Sequence, residues 1–210
     1  MVDMKRYLIE ENICNGGCIL TINIKRLANK ELSKGLISDY KPFTMVDGEG
    51  FRCALFVSGC IFNCKGCYNK TIQDFGIGQP YTEELEEVIL KDIGHESVQG
   101  LTLLGGEPFL NTKVCLSLIK KIRERYGDTK DIWSWTGYTI EELQESIECD
   151  TLNSRLQLEM LNEVDVLVDG RFIEEELDTT GTLRFRGSWN QRIIDMNKTR
   201  LHKKIVLWSQ

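Results

Sequence analysis

Three cysteines fall within eight residues, Cys60-Ile-Phe-Asn-Cys64-Lys-Gly-Cys67, directly after the apolar run Ala54-Leu55-Phe56-Val57. A 4Fe-4S cluster held entirely by protein needs four thiolates, and the bacterial ferredoxin run supplies them in a longer string with different spacing. Here three are local and no fourth follows. Three thiolates leave one metal with open coordination positions, and an open position distinguishes a site built for chemistry from one that only holds a fold. The spacing therefore points to an enzyme.

The competing use of the same cysteines is a structural zinc site, with Cys53, Cys115, Cys149, His95 or His202 as the fourth ligand. Zinc knuckles favour pairs of ligands separated by a loop, whereas Cys53 points along a strand and Cys115 falls inside a helical pattern. Cys53, Cys115 and Cys149 read as small buried hydrophobes or ordinary thiols. Cys14 and Cys18 flank the turn signal Asn15-Gly16-Gly17 without other ligand residues nearby, and read as reduced structural cysteines.

The elements that must position the cysteine cluster begin near residue 50. Cys53 to Ser58 reads as a strand running into the cluster. Thr82 opens a helix whose Leu85, Val88, Ile89 and Ile93 share one face, with Glu83, Glu84, Glu86 and Glu87 as its outer face. Leu101 to Leu104 is the next strand and is closed by Gly105-Gly106-Glu107-Pro108. A helix from Thr112 to Tyr126 turns Val114, Leu118, Ile122 and Tyr126 to the sheet, and Asp131 to Trp135 forms the following strand. On that strand Trp133 and Trp135 face one side as packing residues, which leaves Ser134 pointing toward the site. Thr139 and Glu142 make a capping box, a further helix spans Leu152 to Leu161, and Val164 to Val168 is a strand.

Repeated strand-helix units imply a mostly parallel sheet covered by helices. The chain is too short for a full eight-unit barrel of about 250 residues. The expected fold is α/β, an incomplete (β/α) barrel or open curved sheet over residues 41–210, with an N-terminal extension over 1–40 that carries a possible hairpin. Ligands in such folds collect beyond the carboxyl ends of the strands, where the cysteines, the Gly-Gly-Glu-Pro turn and Asp169-Gly170 all fall. Asp169 and Arg171 suit cofactor or partner binding there, and a solvated loop is the plain alternative. Asn190-Gln191-Arg192 is rich in donors and suits a docked partner loop.

Composition narrows the class. At 210 residues the chain can bury one good core, and a net charge of −6 gives no general attraction to nucleic acid or to anionic membranes. No apolar stretch reaches the roughly 18 residues of a membrane span. The opening Met-Val-Asp-Met-Lys-Arg lacks the basic segment and apolar core of a secretion signal, so a cytoplasmic location is expected. Eight cysteines in a reducing compartment favour metal or redox chemistry over disulfides.

The C-x3-C-x2-C spacing after one strand, with Gly-Gly-Glu-Pro after the next, resembles the radical S-adenosylmethionine enzymes. Further runs sharpen the resemblance: Val46-Asp47-Gly48-Glu49-Gly50-Phe51-Arg52, Cys64-Lys65-Gly66-Cys67-Tyr68-Asn69-Lys70, Trp135-Thr136-Gly137-Tyr138, Val168-Asp169-Gly170-Arg171-Phe172, and Arg186-Gly187-Ser188 followed by Asn190-Gln191-Arg192. Together they resemble the activating proteins of anaerobic (class III) ribonucleoside-triphosphate reductase.

The resemblance implies that Cys60, Cys64 and Cys67 hold three irons of a 4Fe-4S cluster while S-adenosylmethionine chelates the fourth. One-electron reduction would then yield a 5'-deoxyadenosyl radical, which takes a hydrogen atom from a glycine in the C-terminal loop of the reductase large subunit. It further implies contacts to S-adenosylmethionine from Gly66, Cys67 and Tyr68 and from the Gly105-Gly106 turn. Glu107 either bonds the amino group of that cofactor or caps the next helix. A flavodoxin or ferredoxin would supply the electron. Two competitors remain at this stage: an activase for another glycyl radical enzyme of the pyruvate formate-lyase type, and a non-catalytic iron-sulfur electron-transfer protein.

Overall fold

A computed structural model describes residues 32–146 and 151–209. The expected hairpin with Cys14 and Cys18, and also Cys149, lie outside the described residues. Seven strands form one sheet: β1 (Leu36–Thr44), β2 (Phe51–Val57), β3 (Gln79–Pro80), β4 (Val98–Gly105), β5 (Asp131–Trp135), β6 (Val166–Asp169) and β7 (Arg192–Asp195). Their spatial order is β3-β1-β2-β4-β5-β6-β7. The helices are α1 (Glu83–Ile93), α2 (Thr112–Tyr126), α3 (Ile140–Ser146), α4 (Leu152–Glu163) and α5 (Met196–His202).

The sheet is mixed, with a parallel centre and antiparallel edges. The four strands β2, β4, β5 and β6 run parallel, but β1 and β7 flank them antiparallel and β3 pairs antiparallel to β1. Connection lengths explain the difference. Parallel neighbours need a crossover, and α1, α2 and the α3–α4 pair supply one for each parallel step. Only residues 45–50 join β1 to β2, so that pair folds back on itself. The sheet also takes in Leu36 to Tyr40, residues expected to belong to the N-terminal extension.

Every residue of β2 after Phe51 is buried, as suits a strand covered on both faces. Arg52 is the unexpected member, with no exposure. Its Nε donates to Thr102 Oγ1 at 2.8 Å, its Nη2 donates to the Leu101 carbonyl at 2.8 Å, and it pairs with Asp131 Oδ1 at 2.6 Å. The guanidinium lies 5.3 Å from the Trp133 ring. One side chain thus laces β2, β4 and β5 at their amino ends and leaves the carboxyl ends to the site.

Helix α1 starts as expected, with Thr82 Oγ1 accepting from Leu85 N at 3.3 Å. Its inner face is Ile89, Leu90 and Ile93, while Val88 is 51% exposed. Glu86, read as outer face, is instead buried at 2% exposure. Its carboxylate accepts from Tyr81 Oη and from Ser117 Oγ, both at 2.7 Å, and pairs with Lys121. Burial pushes this carboxyl up, but the bonds from Lys121, Ser117 and Tyr81 outweigh it and the group titrates below its ordinary value.

A carboxyl depressed in the folded state stabilises above the unfolded pKa of about 4.3 and loses that contribution as pH falls through the folded value. Glu86→Gln is expected to cost roughly 1–3 kcal/mol at pH 7. The gap to wild type should narrow on acidification, and urea unfolding at pH 7 and pH 3.5 checks both statements.

Candidate functional site

The site grows from the carboxyl ends of the parallel strands. β2 ends at Val57, and Ser58-Gly59 leads directly to Cys60. Gly59 holds this exit in place: its N–H donates to the Ile72 carbonyl at 2.8 Å and its carbonyl accepts from Glu107 N at 2.8 Å. Gly106 N donates to the Val57 carbonyl at 2.7 Å, so the turn after β4 is bonded to the root of the cysteine loop on both sides of Ser58.

That contact supplies a reason for the glycine pair which sequence reasoning did not find. Gly105 has φ +107°, and a Cβ on it would lie 2.8 Å from Phe56 Cα. A Cβ on Gly106 would lie 2.4 Å from the Gly59 carbonyl oxygen. The backbone being approached is the end of β2.

Cys60, Cys64 and Cys67 are all partly exposed. Burial pushes the Cys60 thiol up to about 12, with the neighbouring Glu107 and then the other two cysteines adding to it. Burial and the neighbouring Cys67 likewise raise Cys64. Cys60 and Cys64, in partly dry surroundings and within electrostatic reach of neighbouring thiols, therefore oppose ionisation. A positive iron centre relieves that opposition, because metal binding takes thiolates and releases their protons.

Among the described residues no three His, Cys, Asp or Glu side chains converge as ligands of a single ion. Thiolates are the protein ligands of iron–sulfur clusters, and in donor chemistry the three cysteines fit such a group. Cys53 and Cys115 are buried, against the carbonyls of Pro42 and Pro108, and belong to the core.

Beside Cys64 opens a cavity of about 520 Å³, lined also by Phe62, Asp169, Arg171, Phe172 and Arg192. Asp169 closes β6 and is buried, whereas Arg171 lies in the loop that follows with its side chain 33% exposed. Asp169 is 1% exposed, accepts from Ile140 N at 2.9 Å and is paired with Arg192. Arg192 is shared with Glu141, which it reaches at 2.7 and 2.9 Å.

The donors of Asn190 and Gln191 are likewise spent inside the chain. Asn190 Nδ2 donates to the Arg171 carbonyl at 2.8 Å and Gln191 Nε2 donates to the Gly170 carbonyl at 2.9 Å. This run braces the loop after β6, while Asn190 and Arg192 also line the cavity. Ser134 is fully buried and donates to the Trp135 carbonyl at 3.5 Å, outside the cavity lining.

Gly66 has φ +71°, and a Cβ there would stand 2.7 Å from Glu174 Oε1. Tyr68 is 79% exposed, its ring 5.9 Å from that of Phe172 at the cavity edge. Glu107 caps the short 3-10 turn at Pro108–Leu110 by accepting from Phe109 N at 3.0 Å, and α2 is preceded by Asn111 instead. The same carboxylate accepts from Thr136 Oγ1 and Gly137 N, both at 2.8 Å, and so ties the β4 turn to the end of β5. Burial raises it to about 7 against those bonds.

Because both carboxylate oxygens accept from donors, an amide cannot satisfy all three partners. Glu107→Gln is expected to cost roughly 1–3 kcal/mol, read as a lowered urea midpoint at unchanged slope.

Sequence reasoning gave no role to Phe62, Thr136, Gly137, Tyr138 or Asn111. Asn111 Nδ2 donates to the carbonyls of Ser58 and Glu107 at 2.9 and 3.0 Å, bracing the same junction. The available signal was the Thr-Gly pair at the end of β5, the same kind of strand-end glycine that marked the β4 turn.

The sequence family described as a 4Fe-4S single cluster domain matches residues 46–194. The protein of Vibrio cholerae called anaerobic ribonucleoside-triphosphate reductase-activating protein is 42% identical over 158 residues, which is 73% of this chain and 94% of the relative. The protein of the same name from Pasteurella multocida is 44% identical over 158 residues, 73% of this chain and 93% of its own length. That of Escherichia coli K12 is 39% identical over 156 residues, 72% of this chain and 93% of its own.

Proposed function

The chain belongs to the family of anaerobic ribonucleoside-triphosphate reductase-activating proteins, and we propose that the cysteine loop after β2 is the centre at which it activates its reductase. It is a radical S-adenosylmethionine activase that uses a 4Fe-4S cluster. In our reading Cys60, Cys64 and Cys67 hold the cluster. The observation that carries this is their grouping on one loop after β2, whose root the turn after β4 bonds at Val57 and Gly59, and whose Cys64 lines a cavity with Asp169 at the carboxyl end of β6. When bound, the cluster supplies the electron for reductive cleavage of S-adenosylmethionine, with a glycyl radical on the reductase as the outcome.

The chain's own residues orient and enclose. Gly106 and Glu107 clasp the Val57–Gly59 root of the loop through their N–H groups, and Glu107 binds that clasp to Thr136 and Gly137. The contacts assigned to S-adenosylmethionine are Gly66, Cys67 and Tyr68 on one side and Gly105, Gly106 and Glu107 on the other. Cofactor enzymes ask this of the protein: a fixed reactive geometry and exclusion of competing reactions.

The same reading takes β2, β4, β5 and β6 as an incomplete (β/α) barrel, curved and open to the side, so that a glycine-bearing loop of the reductase can enter. A flavodoxin or ferredoxin supplies the electron, in the cytoplasm. Among the described residues no helix is long and apolar enough to cross a membrane.

The test uses the full chain, reconstituted anaerobically with iron and sulfide, reduced, and mixed with S-adenosylmethionine and the reductase. Methionine and 5'-deoxyadenosine should form in equal amounts, together with the electron paramagnetic resonance doublet of a glycyl radical. A fully loaded, reducible cluster that leaves S-adenosylmethionine intact would overturn the reading in favour of an electron-transfer protein.

A further inference from the structure

Phe62 stands midway between Cys60 and Cys64, and three neighbours close on its ring. Tyr138 meets it edge-on with centroids 4.7 Å apart. Gly137 leaves it room, because a Cβ there would lie 2.3 Å from Phe62 Cδ2. Arg171 covers it, with Cζ 4.6 Å from the ring centroid.

The guanidinium is itself held. Its Nη2 donates to Glu142 Oε1 at 2.9 Å, and the other oxygen of Glu142 accepts from Thr139 N at 3.0 Å in the capping box of α3. The Arg171 backbone is fixed by the Asn190 side chain, and Gly170 at φ +101° lets the chain turn out of β6 toward the loop. A planar cation on an aromatic face contributes roughly 0.5–2 kcal/mol, and lysine does not reproduce its shape. Arg171 also lines the cavity together with Cys64.

We propose that Arg171 is a positioning residue for the cysteine loop: its guanidinium, stacked on Phe62 and held by Glu142, fixes the loop and sets a permanent positive charge beside Cys64 that raises the reduction potential of the cluster. This rests on the assignment of Cys60, Cys64 and Cys67 as cluster ligands. Adding an electron makes the cluster more negative, so a fixed cation nearby favours the reduced state over the oxidised one. Arginine suits the task because it keeps its charge at any working pH.

The experiment is a potentiometric titration of the reconstituted full chain with dithionite, followed by electron paramagnetic resonance of the reduced cluster. Arg171→Gln keeps hydrogen-bonding capacity and loses the charge and the stack. At a fixed applied potential it should lower the ratio of reduced to oxidised cluster by about fivefold and alter the spectrum. Arg171→Lys keeps the charge and should return the ratio to within about twofold of wild type.

If both variants load iron as wild type does and Arg171→Gln changes neither potential nor spectrum, the inference is wrong. If Arg171→Gln does not hold iron, a loaded Arg171→Lys near the wild-type potential supports the inference, and equal failure of the lysine variant overturns it. A wild-type chain that binds no 4Fe-4S cluster removes the ligand assignment first, and this inference with it.

Discussion

Cys64→Ala should reduce S-adenosylmethionine cleavage by about three orders of magnitude or more while leaving the fold intact. The two halves of that expectation have separate causes. Cys64 lies on a partly exposed loop beside the cavity, outside the buried apolar cluster that joins β2, β4 and β5 to α1, α2 and α4. Removing its thiol leaves no buried cavity, and surface changes of this kind usually shift stability by within about 0.5 kcal/mol. Yet a cluster with three protein ligands cannot lose one and keep a single open iron for the cofactor. Iron content after reconstitution, 5'-deoxyadenosine yield and thermal unfolding of the apo chain measure the three consequences together. Full activity in the alanine variant would remove Cys64 from the site, and an unfolded variant would make its role structural.

Much of the scaffold around that loop was legible because its signals are local. The strand Asp131–Trp135 and the helix Thr112–Tyr126 stand where alternation and helical spacing put them. The Thr139–Glu142 capping box forms in both directions, at 3.0 and 3.2 Å. What escaped depends on partners distant in sequence. β1 buries only Ile37 and Thr44, so its Ser-Asp-Tyr-Lys stretch carries no apolar alternation, and only pairing with β2 makes it a strand. β7 is four residues with charges at both ends, which close on Asp169, Glu141 and the start of α5. Glu86 is charged in a helix and reads as solvated, but Ser117 and Lys121 wait for it across the α1–α2 contact, with Tyr81 just before α1.

The candidate site divides along the same line. The cysteines and the glycine turn declare themselves by type and spacing, whereas Asp169 reads as well as a solvated loop residue until its burial and its bond to Arg192 are seen. The clamp on Phe62 does not, because phenylalanine between two cysteines looks like any apolar loop residue until Gly137, Tyr138 and Arg171 are seen around it. Arg52 is similar: only the sheet shows that an arginine in an otherwise apolar strand is fully bonded at 0% exposure.

Gly106→Val is expected to lower S-adenosylmethionine cleavage by about a hundredfold without dismantling the sheet. The added Cβ would meet Gly59 O at 2.4 Å and Gly59 C and N at 2.8 Å, all of them backbone, so no side chain can rotate away to make space. The approach is enforced by the bonds from Gly106 N to Val57 O at 2.7 Å and from Glu107 N to Gly59 O at 2.8 Å. Either those bonds break or the Gly59–Cys60 segment shifts, and both outcomes displace a cysteine at the centre of the proposed chemistry.

Overpacking of this kind costs roughly 1–3 kcal/mol of stability. A displacement of about 1 Å in a reacting geometry costs about a hundredfold in rate, so activity should suffer more than folding. Gly106→Ala, with the same Cβ and no branch beyond it, should show the larger share of the defect already. The measurement is turnover per loaded cluster, with iron content and far-ultraviolet circular dichroism taken on the same samples. Turnover within twofold of wild type at equal iron content would mean that the turn after β4 yields without moving the loop, and the clasp between Gly106 and Gly59 would not be what fixes Cys60.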